Sequence, residues 1–161
     1  EIDYIHPHYR AMIEASPFVV LATVGAEGLD CSPRGDPAGF VHVLDDKTVA
    51  MPDRRGNNRA DSLRNIVADP RISLLFLIPG VGETLRINGT AKLRDDEELL
   101  REFPHEKHPP RLVVEISIEE AYLHCAKALM RSVLSSSLRK SREYVHHHHS
   151  FQPLTNSALF H

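Results

Sequence analysis

The chain has 161 residues, 42% of them hydrophobic, and a formal net charge of -3, values that describe one soluble globular domain whose core needs no metal or disulfide staple. The slightly acidic balance, with basic residues gathered in a few loops and no stripe of Lys, Arg and aromatics, argues against a nucleic-acid partner. No apolar run approaches the roughly 20 residues that span a bilayer, and no charged-then-apolar leader stands at the start, so the expectation is a cytoplasmic protein with no membrane partner, its Cys31 and Cys125 reduced.

Along the chain, a short helix is predicted from Pro7, an acceptable first-turn residue, to Ser16-Pro17, with Tyr9, Met12 and Ile13 on one face. Phe18 to Val24 is β-branched and almost wholly apolar, as in a strand buried on both faces, and Gly25-Ala26-Glu27-Gly28 turns it into Leu29 to Pro33. Phe40 to Leu44 and Thr48 to Met51 flank the aspartate-rich turn at Asp45-Asp46-Lys47. Ile72 to Ile78 is another strongly buried strand, closed by Pro79-Gly80. Glu83 to Leu93 alternates, with Leu85, Ile87, Gly89, Ala91 and Leu93 facing inward. A short helix from Asp95 to about Phe103 precedes a Pro-rich loop, a strand at Leu112 to Ile118, and a last helix from Tyr122 to Leu134. Six or seven strands joined by short turns suit a mainly β, closed antiparallel barrel with a few peripheral helices better than a parallel α/β sheet.

Between Cys31 and Asn65, two polar loops punctuated by Gly and Pro carry a heavy load of Arg, Asn and Asp between apolar strands, the composition of a ligand-binding edge. The second loop, Met51-Pro52-Asp53-Arg54-Arg55-Gly56-Asn57-Asn58-Arg59, opens into a helical pattern with Leu63, Ile66 and Val67 as its apolar stripe. Asn57 or Asn58 is a good N-cap and Asp61 suits the first turn. Free N–H groups, two amides and up to three arginines there suit a phosphate monoester. A well-capped surface helix preceded by a solvated basic loop has the same signature.

Ser32-Pro33-Arg34-Gly35-Asp36-Pro37, Pro52 to Arg59, Asp61-Ser62-Leu63-Arg64-Asn65, Leu75 to Gly80, Glu83 to Gly89 and His124-Cys125-Ala126-Lys127-Ala128 together resemble the pyridoxamine 5'-phosphate oxidase-related, FMN-binding split-barrel proteins, in a branch of uncharacterised flavoproteins. The resemblance covers residues 10 to 134. It implies a homodimer of split barrels with FMN in the clefts between subunits. Carried onto this chain, Ser32 and Arg34, Met51, Pro52 and Asp53, and Asn57, Asn58, Arg59 and Ser62 fall on the cofactor-contacting segments. Thr84 matches a position from which the partner subunit contacts the flavin ring, which would put Arg86 and Asn88 near the interface. For Arg34, Arg54 and Arg55, an ion pair with Asp36 or Asp53 is the alternative.

The resemblance further implies an FMN-dependent oxidoreductase acting on a small-molecule substrate; a non-catalytic flavin sensor or carrier on the same barrel is the competing expectation, and related barrels hold a deazaflavin or haem instead. True pyridoxamine 5'-phosphate oxidases end in an Arg-rich segment, whereas this chain runs through Met130-Arg131-Ser132-Val133-Leu134 into serines, so vitamin B6 oxidation is not expected. His124, Lys127 and Arg131, at helical spacing, are expected to share one helix face and receive an anionic substrate or the cofactor phosphate, or else to be a solvated cationic face. Ala126, Leu129, Met130 and Val133 are expected to be buried and Cys125 to be a packed thiol. The histidines show no metal-ligand spacing, and no Gly-x-Gly-x-x-Gly, Walker or Gly-x-Ser-x-Gly motif occurs. Residues 1–134 thus read as one domain, and 135–161, with His146 to His149, as an added tag or a flexible tail.

Overall fold

The computed structural model describes residues 1–54, 61–103 and 109–132. Its elements run α1 (Pro7–Ala15), β1 (Phe18–Gly25), β2 (Gly28–Gly35), β3 (His42–Val43), β4 (Thr48–Pro52), α2 (Asp61–Ala68), β5 (Arg71–Leu77), β6 (Thr84–Arg94), α3 (Glu97–Arg101), β7 (Val113–His124) and α4 (Lys127–Arg131). The strands make one seven-stranded sheet in the order β2-β1-β5-β6-β7-β4-β3, every ladder antiparallel. No ladder among the described residues joins β2 to β3, so the barrel is split, as the resemblance implies, and not closed as the short connections alone suggested. β3 is only two residues long, and Pro33 removes a backbone donor from β2.

The alternation of each strand sets which face is wet. Val19 and Leu21 of β1, Leu74 and Phe76 of β5, and Leu85 and Ile87 of β6 are fully buried on the inner face. Met12 and Ile13 of α1 and Ile66 of α2 cap this core. The other face of β1 and β5 is only half-buried, contrary to the expectation of burial on both sides. Leu63 packs on the core as its periodicity predicts, whereas Val67 is exposed. The hydroxyl of buried Ser16 lies 2.7 and 2.9 Å from the carbonyl oxygens of Phe18 and Leu77, fixing the end of α1 to the β1–β5 pair. A second small core of Ala50, Leu99, Phe103 and Val113 seats α3 on β4 and β7.

The β6–β7 ladder carries a bulge between Asn88 and Gly89. Gly89 is required there, because a Cβ would lie 2.0 Å from the Ser117 carbonyl oxygen. Beyond the bulge β7 continues to His124, with Tyr122, Leu123 and His124 paired to Arg86, Leu85 and Thr84. The helix expected from Tyr122 is therefore strand at its start and reduces to the five residues of α4; pairing with a long neighbouring strand outweighs local helical spacing. α4 buries no residue, Met130 is exposed, and Cys125 is an exposed free thiol, not a packed one. No helix among the described residues is long and apolar enough to cross a membrane.

Candidate functional site

Two groups of predicted site residues emerge, on opposite faces of the sheet. The first lies at the split. Ser32 and Arg34 of β2 pair with Leu21 and Val19 of β1, so their side chains share the inner face. Arg34, buried, donates from Nη1 to Oδ1 of Asp53 across 2.9 Å, and the Asp53 amide donates to the Leu112 carbonyl at 2.9 Å. Arg54 donates from Nε to Oδ2 of Asp36 at 2.7 Å. These two pairs join the end of β2, first in the sheet, to the end of β4, sixth; charge, not a backbone ladder, spans the opening. The ion pairs that sequence left as the alternative are both formed.

α2 docks on the hairpin end of the β1–β2 pair. Ser62 is buried and donates to Oδ2 of Asp30 at 3.1 Å, and Asn65 donates to the Thr23 hydroxyl at 3.0 Å. Gly25 permits that approach, since a Cβ there would stand 2.8 Å from Oδ1 of Asn65. Asp30, which holds Ser62, and Ser32 and Arg34, which holds Asp53, thus lie along one face of β2. Met51 and Pro52 are buried, with the Met51 side chain inside the core, so only its backbone is offered to a ligand. Asn57, Asn58 and Arg59 lie outside the described residues, as does Arg55.

The four charges at the split cancel, yet the arginines are not saturated. Nε of Arg34 and Nη1 of Arg54 are buried without a hydrogen-bond partner. A buried donor left unpaired costs about 1–3 kcal/mol, and two guanidinium N–H groups in one place present the donor set of a phosphate oxygen site. Such donors suit a phosphate monoester.

The second group lines a cleft of about 640 Å³ on the outer face. Its floor is Val20 and Ala22 of β1 with Leu75 and Leu77 of β5; Thr84 and Arg86 of β6 form a wall; His124, Cys125, Lys127 and Arg131 form the lip. His124, Lys127 and Arg131 do meet, although His124 arrives from a strand and not from the helix. Gly82 lets the β5–β6 connection close against the start of α4, for a Cβ would be 2.8 Å from that of Ala126. Arg86 lays its guanidinium carbon 4.4 Å from the centroid of the Tyr122 ring, a cation–π contact of about 0.5–2 kcal/mol. Its Nε is the third buried nitrogen without a partner. Beside it, Ser73 donates to Oδ1 of Asn88 at 2.8 Å, and Asn88 donates on to Glu120. Thr84 is buried, while Lys127 and Arg131 are exposed.

Sequence reasoning missed the aliphatic floor and gave Arg86 only a place near an interface. The available signal was Phe18 to Val24 and Ile72 to Ile78 being apolar at both parities: in a sheet with one wet face, that leaves an apolar outer surface.

The fold resembles solved structures of low sequence identity. The HupZ protein of Group A Streptococcus matches with a TM-score of 0.61 at 20% identity, over 74% of this chain and 93% of that one. A Lactobacillus delbrueckii protein provisionally named a pyridoxamine 5'-phosphate oxidase matches with a TM-score of 0.60 at 22% identity, over 76% and 96%. General Stress Protein 26 of Bacillus anthracis matches with a TM-score of 0.53 at 16% identity, over 70% and 88%. No curated protein sequence matches the chain. Residues 5–125 match the family model described as Pyridoxamine 5'-phosphate oxidase, and the chain belongs to that family.

Proposed function

We propose that the chain is an FMN-dependent oxidoreductase acting on a small organic molecule, working as a homodimer with FMN between subunits. The observation that carries this reading is the pair of buried, unpartnered guanidinium nitrogens of Arg34 and Arg54 at the split, which lack only an acceptor group. In this reading Arg34 and Arg54, with Asn57, Asn58, Arg59 and Ser62, hold the FMN phosphate and ribityl chain. Bound FMN supplies the hydride or single-electron transfer. The outer cleft then receives the substrate: its aliphatic floor excludes water, and Arg86, Lys127 and Arg131 favour negative charge on what enters.

Support for the homodimer comes from the placement of the two groups. They are separated by the sheet, so a second copy that brings its outer cleft, with Thr84, to the split of the first joins them at one ligand. Phe18, exposed and outside the lining of the cleft, gives such a contact apolar area. Two free, exposed thiols suit a reducing compartment, the cytoplasm. Vitamin B6 oxidation is not part of the proposal.

The test is a titration of FMN fluorescence with wild-type protein and Arg34→Gln. Wild type should bind, and Arg34→Gln should bind at least about tenfold more weakly, the loss of one charge-assisted contact. Equal affinity for a folded Arg34→Gln protein would remove the split as the phosphate site.

A further inference from the structure

We infer that the outer cleft selects a flat, largely apolar monoanion of the aromatic carboxylate class, with Arg86 as the residue that anchors its carboxylate. This rests on the flavoprotein reading only in calling that ligand the substrate; the subsite itself follows from the cleft.

Arg86 stands in the wall of a cleft whose floor is Val20, Ala22, Leu75 and Leu77, with Ser73 beside them donating its hydroxyl to Asn88. An aliphatic floor of that kind takes up a ring system and gives a sugar or a peptide backbone no hydrogen bonds. The guanidinium carbon lies over the Tyr122 ring, 4.4 Å from its centroid. That contact restrains the group without using any of its N–H donors. Nε is buried and unpartnered, and Arg86 forms no ion pair among the described residues. An in-plane edge of two parallel N–H groups matches the two oxygens of a carboxylate. A phosphate dianion asks for more donors, and the other cations of the lip, Lys127 and Arg131, are exposed and weakened by water and salt. Glu120, on the strand paired with that of Arg86, accepts from Asn88; its charge and that of Glu1 act on Arg86 from a distance, without an ion pair.

The probes are naphthoate, its neutral amide and naphthyl phosphate, titrated by calorimetry into protein reconstituted with FMN and into protein without it. Naphthoate should bind at least about tenfold more tightly than the amide and no more weakly than the phosphate. Arg86→Met should erase the preference for naphthoate over the amide, and Arg86→Lys should keep part of it. In the wild-type protein, naphthoate should also slow alkylation of Cys125, which lines the same cleft; this readout needs no variant to fold. Equal binding of acid and amide, an unchanged preference in a folded Arg86→Met, or phosphate favoured by more than about tenfold would overturn the inference. So would naphthoate binding only in the absence of FMN, because the cleft would then be the seat of the flavin ring. If the protein takes up no FMN and still prefers naphthoate through Arg86, the cofactor reading fails and the carboxylate subsite stands.

Discussion

Arg34 and Asp53 meet across 2.9 Å with side-chain exposures of 5% and 23%, and they join two strands that share no backbone ladder. Removing one partner leaves the other charge in a partly dry seam. Asp53→Asn should therefore lower stability by about 2 kcal/mol, less than for a fully buried pair because Asp53 keeps some contact with water. Urea unfolding measures it; an unchanged midpoint would mean that the pair does not brace the split.

A second expectation concerns pH. The His42 ring stacks on buried Phe103 at 4.0 Å between centroids. Burial holds its imidazole below the ordinary range, with nearby Arg54 adding to the effect and Glu102 opposing it. The folded protein then binds fewer protons than the unfolded chain between the lowered value and the ordinary value of about 6.5, so stability rises with pH across that interval and is lost as pH falls through it. The melting temperature should drop between about pH 7.5 and 5.5, and His42→Phe, which keeps a stacked ring and removes the proton site, should flatten that drop. An identical pH profile for the two proteins would show that His42 does not contribute.

Much of this architecture can be read from the residues. Pro7, the alternation of Thr84 to Leu93 and the apolar runs at Phe18 and Ile72 place α1, β6, β1 and β5 within a residue or two of where they lie. Arg34 and its two candidate aspartates are legible as a group, because Asp36 and Asp53 flank the only loops dense in arginine. What is not legible depends on distant pairing. Tyr122 to His124 look helical by spacing until Leu85 and Arg86 claim them for the ladder, and with that the cationic face at His124, Lys127 and Arg131 changes from a helix stripe to a cleft lip. Cys125 reads as a core thiol by residue type and is exposed because β7 ends one residue before it. Ladder register, not local pattern, decides both.

The bulge offers a sharp test of that register. Gly89→Ala would set a Cβ 2.0 Å from the carbonyl oxygen of Ser117, a backbone atom with no rotamer to yield. The variant should lose at least about 2 kcal/mol of stability or fail to accumulate folded. A neutral effect on chemical unfolding would mean that β6 and β7 pair differently here.

The outer face provides a fourth test, of assembly. Phe18 is exposed beside the outer cleft and belongs to the apolar surface proposed to meet a second copy. Phe18→Glu should convert a dimer to a monomer in light-scattering chromatography and weaken FMN retention with it. A wild-type protein that is monomeric at all concentrations would contradict the shared site.

The most direct measurement is the visible absorbance spectrum of the full chain after incubation with FMN and desalting. A bound flavin spectrum at one FMN per chain, which bleaches on addition of a reductant and returns with an electron acceptor, is the predicted result. A colourless protein that cannot be reconstituted would contradict the oxidoreductase proposal and leave a split barrel whose arginines at the seam serve another anion.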